Sequence, residues 1–313
     1  MKRLSILFTF LIIIISGCIG QETPIVSTKD GVIITDFSFE HSPVYAEDNV
    51  GLRLEVQNVG GNEAELKKIQ VYGVDFDCID TTRAWCNKGA DPTEFDGTYI
   101  GEDRFLDPPN TEINFEGGKC YHEWRLQAPS GVTSETNYDF RVRVKYDYNT
   151  TYSGMIRVID DIYIQSLKED EKQKLFSSGG LVSSEVTNGP ISITPYSSRH
   201  FIVSPGDQKQ KRPIKFKIEN VGKGYPYIKD PVSGDIRNYH IKIIEIGGIT
   251  DCDKDPTNGE IKLSSGKSHT INCKFETPTT DGFTNKLDKP FQIRFEYSYY
   301  VDGSTSITVK PAY

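Results

Sequence analysis

Val50-Gly51-Leu52-Arg53-Leu54-Glu55-Val56-Gln57, followed by Asn58-Val59-Gly60, is the stretch whose reading decides the fold. Val50, Leu52, Leu54 and Val56 alternate with polar or small residues. A period of two puts one face of a strand in a core and the other in water. Asn-Val-Gly then supplies residues suited to turning the chain. The pattern recurs in the second half, where Ile214, Phe216 and Ile218 alternate with Lys215, Lys217 and Glu219 before Asn220-Val221-Gly222.

Further landmarks repeat in the same order. Gly73 precedes Cys78 by the same spacing that separates Gly247 from Cys252. A later strand closes on Gln127-Ala128-Pro129 in one half and Glu276-Thr277-Pro278 in the other, and proline suits a strand end because it cannot donate to a ladder. Phe140, Val142, Val144, Tyr146 and Tyr148 then line up with Phe291, Ile293, Phe295, Tyr297 and Tyr299. Asn149-Thr150-Thr151 and Asp302-Gly303 read as hairpin turns into final strands near Met155–Ile159 and Ser306–Val309. Each half therefore has roughly six or seven strands, which suits an immunoglobulin-like sandwich. The expected fold is all-β, with tandem sandwiches over 31–162 and 189–313. Residues 163–188 are expected to be a linker with a short helix after the capping pattern Ser166-Leu167-Lys168-Glu169.

The Asn-Val-Gly strand ending and the repeated strand order resemble the Ig-like, adhesion-related (CARDB-like) domains of archaeal and bacterial surface proteins. That resemblance implies a sandwich at the cell surface and no single activity.

Lys2 and Arg3 precede an almost wholly apolar run from Leu4 to Ile15, and Ser16-Gly17-Cys18 follows. A basic start, a short apolar core and small residues are the layout of a secretory signal peptide. The ending resembles the lipobox of prokaryotic lipoproteins, which implies cleavage after residue 17 and lipid on Cys18. Residues 18–30 would be a polar tether, and the chain would sit on the extracytoplasmic face of the membrane. The 313 residues carry a net charge of −8, and loss of Lys2 and Arg3 makes it −8 − 2 = −10. Such a surface disfavours nucleic acid and anionic headgroups as general partners. With 17 Tyr, 16 Phe and only two Met, the composition favours strands.

With Cys18 set aside, five cysteines remain, so one is left over after pairing. Cys252 and Cys273 are the two in the second half and are expected to form a disulfide. Closing that loop would stabilise by about 3.4 kcal/mol. In the first half the repeat points to Cys78–Cys120. Cys78–Cys86 and Cys86–Cys120 remain open alternatives.

A long irregular segment between Cys78 and Cys120 carries Trp85, Phe95, Tyr99 and Phe105 among many carboxylates. Aromatics on such a loop can stack on sugar rings or grip a protein partner, or can pack on their own sandwich. Tyr225-Pro226-Tyr227 to Asp235 is a smaller counterpart. Asp251, Asp253 and Asp255 alternate as in calcium loops, but Pro256 and Lys262 occupy the positions where an EF-hand needs Gly and Glu. A weak calcium site and an acidic solvent loop are the two readings, and no other cofactor is expected. The histidines lack zinc spacing, and no nucleophile elbow, P-loop or HExxH motif occurs. Asn149-Thr150-Thr151 is an N-glycosylation sequon, placed by this reading on a hairpin tip. The expectation is a non-enzymatic surface lipoprotein serving as a binding, adhesion or envelope-assembly module, with a protein or glycan of the envelope as its partner. A carbohydrate-binding protein using the loop aromatics, or an accessory subunit of a surface or secretion complex, are the alternatives.

Overall fold

A computed structural model describes residues 29–87, 104–177, 180–196, 200–230, 233–254, 256–257, 259–279 and 284–312. The first-half strands are β1 (Val32–Phe39), β2 (Val44–Tyr45), β3 (Asn49–Asn58), β4 (Ala64–Tyr72), β5 (Val74–Asp75), β6 (Trp85–Asn87), β7 (Phe105–Leu106), β8 (Lys119–Gln127) and β9 (Thr136–Asp160). Helices α1 (Asp161–Ser166) and α2 (Glu169–Ser177) follow. Then come β10 (Leu181–Val186), β11 (Ile191–Tyr196), β12 (Phe201–Val203), β13 (Lys211–Asn220), β14 (Tyr225–Lys229) and β15 (Ile236–Asn238). The chain ends with β16 (His240–Gly247), β17 (Glu260–Lys262), β18 (Ser268–Glu276) and β19 (Lys286–Lys310). The fold is an all-β sandwich, as the periodicity predicts.

Among the described residues three sheets build it. A five-stranded sheet runs β1-β3-β8-β6-β5, and a three-stranded sheet runs β11-β13-β18. Both pack on one eleven-stranded sheet whose centre is β19-β9, flanked by β4 and β7 on one side and β14 and β15 on the other. The alternation read from the sequence becomes burial here: Val50, Leu52, Leu54 and Val56 are buried on β3, and Ile214, Phe216 and Ile218 on β13. A single continuous core runs through both halves.

The two long strands make the halves inseparable. β9 and β19 are each 25 residues long and pair antiparallel, from Lys286 opposite Ile159 to Val309 opposite Thr136. The first part of β9 lies under the five-stranded sheet, where Phe140 meets Phe39 and Trp85. Its last part lies under the three-stranded sheet, where Tyr152 meets Phe216 and Phe291. β19 runs the other way, so its tail returns to the first sandwich and Gly303 sits against Ile34 of β1. Flanking strands repeat the exchange. β4 and β10 pair with the two parts of β9, while β16 and β14 pair with the two parts of β19. β12 joins the end of β9 in parallel, and β2 joins the end of β19 in parallel.

This corrects the hairpin reading. Asn149-Thr150-Thr151 and Asp302-Gly303 lie within uninterrupted strands, so Asn149 is on a sheet and not on a turn. Thr150 is buried with its hydroxyl 2.8 Å from that of Tyr297, a tertiary bond that a tip residue would lack. The division at 162 is likewise crossed twice, because the end of β9 completes the second sandwich and the end of β19 the first. Segment 163–188 holds the expected helix as α2, whose start is capped by Glu171 accepting from Lys168 N while Ser166 Oγ donates to Tyr163 O, and it also holds β10, which adds a strand to the shared sheet.

Candidate functional site

The centre of the shared sheet has two faces with different chemistry. On the inner face Tyr146, Tyr148, Tyr297 and Tyr299 form a buried quartet, with neighbouring ring centroids 5.7–6.2 Å apart. Tyr146 pairs with Tyr299 and Tyr148 with Tyr297, so a pseudo-two-fold axis passes through the Asp147–Ser298 pair. Repeat landmarks from each half converge on this quartet. Val59 N and Gly60 N donate to Gly31 O, as Val221 N and Gly222 N donate to Pro190 O. Asn58 Nδ2 donates to Asn62 O at 2.8 Å, and Asn220 Nδ2 donates to Gly224 O at 2.9 Å. Each glycine of Asn-Val-Gly sits against a tyrosine hydroxyl, Gly60 at Tyr148 and Gly222 at Tyr299, where a Cβ would collide. Asn62 N donates to the Tyr148 oxygen, whose own proton goes to Asn188 O, and Tyr299 donates to Asn220 Oδ1 at 2.7 Å. Burial pushes the Tyr148 phenol up to about 12 and raises Tyr146, Tyr297 and Tyr299 as well.

On the outer face the same strands floor an open groove of about 530 Å³. Asp147, Asn149, Glu296 and Ser298 line its floor. Glu63, Glu65 and Phe105 stand on one side, with Ile228, Lys229 and Lys242 on the other. Lys67 bridges Glu65 at 2.8 Å and Asp147 at 3.2 Å. Burial alone would lower the Lys67 ammonium, but those two carboxylates outweigh it and hold it above its usual value. Asp147 also accepts from Ser298 Oγ. The Asn149 amide oxygen accepts from Asn62 Nδ2 at 2.9 Å, which ties the sequon side chain to a neighbouring turn. The groove is thus acidic, half neutralised and rimmed by an aromatic, suited to holding a polar segment of a partner.

The loop aromatics separate. For Trp85 the ligand-contact reading is corrected in favour of its own sandwich: only 1% exposed, it packs on Phe39, Tyr138 and Phe140. The cause is local pairing, because Cys86 and Asn87 join β8 opposite Gln127 and Leu126 and draw Trp85 into the core. Phe105 is 45% exposed on the groove, with the Arg104 guanidinium 4.7 Å from its ring centroid. Phe95 and Tyr99 lie outside the described residues, as do Cys18, the signal segment, most of the tether and Asp255.

The first-half disulfide is also corrected. Cys78 pairs with Cys86, and buried Cys120 belongs to neither bridge. The Asp75 carboxylate accepts from the backbone N–H groups of Asp77, Ile79 and Asp80, folding the chain so that Cys78 returns on Cys86. Those bonds, Asp80 foremost, hold the Asp75 carboxyl below its usual range. Cys86 is level with Gln127 on β8, seven residues or about 23 Å of extended strand from Cys120. In the second half Cys252 pairs with Cys273.

Asp251 is bound to Lys211 at 2.7 Å, and that bond lowers its carboxyl. Asp253 accepts from the backbone and side chain of Asn272. Both carboxylates therefore serve protein partners, and among the described residues no group of three or more His, Cys, Asp or Glu could hold a metal ion.

The sequence reading missed the groove, because its residues come from strands that only the β9–β19 pairing brings together. It also passed over the outward residues of the strand it used. Arg141, Arg143 and Lys145 alternate with the core positions of Phe140–Tyr146, which is a legible cationic row.

No known protein family matches the chain, and no curated protein does. Among solved structures it is similar to the C-terminal globular domain of an oligosaccharyltransferase from Pyrococcus abyssi, at 11% identity and a TM-score of 0.21, covering 86% of this chain and 46% of that one. It is also similar to Escherichia coli alpha-2-macroglobulin, at 10% identity and a TM-score of 0.19, covering 90% of this chain and 33% of that one. A collagen adhesin from S. aureus follows at 8% identity and a TM-score of 0.09, covering 89% and 92%. The chain thus spans less than half the length of the first two. At these scores none of the three arrangements is close enough to speak to activity.

Proposed function

We propose that the chain is a lipid-anchored, non-enzymatic binding module on the extracytoplasmic face of the membrane, held there by Cys18 and presenting the outer face of its shared sheet to a protein or glycan of the envelope. Disulfides such as Cys78–Cys86 and Cys252–Cys273 belong to oxidising, extracytoplasmic surroundings and support the location. The observation that carries the binding reading is the reciprocal exchange of β9 and β19. It joins two sandwiches into one core and holds the groove at their junction without a hinge. A rigid scaffold limits the entropy lost when a partner docks on it. The glycan reading through loop aromatics retains Phe105 among the described residues and loses Trp85 to the core. An accessory role in a larger envelope complex uses the same groove.

Fractionation of the expressing cell tests the reading. Wild-type chain is expected in the membrane fraction, accessible to external protease, with a mature mass beginning at a lipidated Cys18. Cys18→Ser is expected in the soluble fraction. A mature chain retaining Met1, or one inaccessible from outside, contradicts it.

A further inference from the structure

The body is acidic, yet its outer sheet carries a compact basic and aromatic strip. Along β9, Arg141, Arg143 and Lys145 occupy successive outward positions, about 6.8 Å apart. Their side chains face the solvent side of the sheet, Arg141 exposed and the other two half-buried. The Arg143 guanidinium lies 4.1 Å from the ring centroid of Tyr300 and is clamped by Asp302 through two 2.7 Å bonds. Tyr225 packs on Tyr300 at 5.6 Å and is 43% exposed, and Tyr72 is 46% exposed. Tyr72, Arg141, Arg143 and Asp302 line a shallow hollow of about 730 Å³ beside this strip. No ion pair joins Arg141 or Lys145 to a carboxylate of the described residues. Burial first, then the neighbouring Lys68 and Arg143 charges, lowers the Lys145 ammonium, with the Asp302 carboxylate acting against them.

We propose that this strip is a binding site for an acidic polysaccharide, with Arg141, Arg143 and Lys145 meeting successive carboxylates and Tyr72, Tyr225 and Tyr300 supplying surface for sugar rings. Three features favour that occupant. The cations form a row, which suits a polymer carrying one carboxylate per unit. Arg143 is held by Asp302 through Nε and Nη2 and by the Tyr300 ring, which leaves Nη1 as a donor presented in a fixed direction. The rings stand beside the charges on an open sheet, which suits a flat, hydroxylated chain. The site deepens the binding reading above by naming a ligand class, and its test is independent of Cys18.

The test is affinity electrophoresis of the full chain through gels containing polygalacturonate, carboxyl-reduced polygalacturonate, poly-glutamate or phosphatidylglycerol vesicles. Retardation by polygalacturonate is expected, at least tenfold stronger than by the carboxyl-reduced polymer or poly-glutamate. Arg141→Gln with Lys145→Gln should weaken it at least tenfold, and Tyr225→Ala several-fold, with circular dichroism unchanged. Both variants change outward-facing side chains, and Arg141→Lys, which keeps the charge, should retain most of the binding. Absence of retardation, equal binding of the folded double variant, or equal or stronger binding of poly-glutamate or vesicles would overturn the proposal. Failure here with Cys18-dependent membrane attachment intact would remove the ligand assignment alone.

Discussion

Tyr148 stands directly opposite Tyr297 in the central ladder, with their ring centroids 6.2 Å apart beside the pseudo-two-fold axis. Each belongs to a different repeat, and Tyr148 is covered by Gly31 and Gly60 of its own half and by Gly189 at the start of the other. The junction is therefore a core in its own right.

Alkaline pH should reveal that core. An unfolded tyrosine ionises near pH 10, whereas burial holds Tyr148 up to about 12 and raises its three partners too. The unfolded chain thus loses these protons first. The stability they contribute is complete below about pH 10 and falls as pH rises, by about 1.4 kcal/mol per pH unit for each tyrosine, continuing to about pH 12 for Tyr148. Urea midpoints measured alongside phenolate absorbance should show this quartet ionising only as the protein unfolds. Reversible ionisation of all 17 tyrosines near pH 10 with the fold intact would contradict it.

Gly60→Ala should cost about 2–3 kcal/mol, because its new Cβ meets the Tyr148 hydroxyl. Tyr148→Phe removes the obstructing oxygen along with its bonds to Asn62 and Asn188. The double variant should therefore be more stable than the sum of the single losses implies, with a coupling of about 1 kcal/mol by denaturant unfolding. Strict additivity would place the two residues apart.

The asparagines of the repeated motif should differ in weight. Asn58 is fully buried and bonds Gly60 N, Asn62 O and Leu106 O, so Asn58→Ala should cost about 2–3 kcal/mol. Asn220 is half-buried, and water can replace part of what it bonds, so Asn220→Ala should cost less. Paired denaturation curves check the order.

Non-reducing peptide mapping should recover Cys78 joined to Cys86 and Cys252 joined to Cys273, with Cys120 alkylated only after unfolding. Removing the shorter loop closure with Cys78→Ser should cost about 2.6 kcal/mol, and Cys252→Ser about 3.4 kcal/mol. A Cys78–Cys120 peptide would contradict the pairing.

The strands, their inward faces and the Asn-Val-Gly turns were legible because each depends on a period of two or on residues a few positions apart. The Cys252–Cys273 link was legible because no other partner lies in that half. The strand exchange was harder to read. A three-residue turn at Asn149-Thr150-Thr151 and a straight strand both keep Tyr148 and Tyr152 on one face, so alternation does not choose between them. The second half carried a usable signal. A two-residue turn at Asp302-Gly303 would put Ile307 and Val309 on the face opposite Val301, yet all three are buried together. The sequence left Trp85 between partner contact and its own core, because its burial depends on Cys86 and Asn87 joining a strand that lies far along the chain. The groove and the basic strip are tertiary juxtapositions of outward residues, which a reading centred on core positions leaves out.

The strand exchange itself is tested most directly by the distance between nitroxide-bearing side chains introduced at positions 141 and 155, both outward on β9. Fourteen residues of continuous strand (155 − 141 = 14) at about 3.3 Å each predict a separation of about 46 Å in the intact chain. A hairpin closed at Asn149-Thr150-Thr151 would fold the arms together, and a distance below about 20 Å would contradict the exchange.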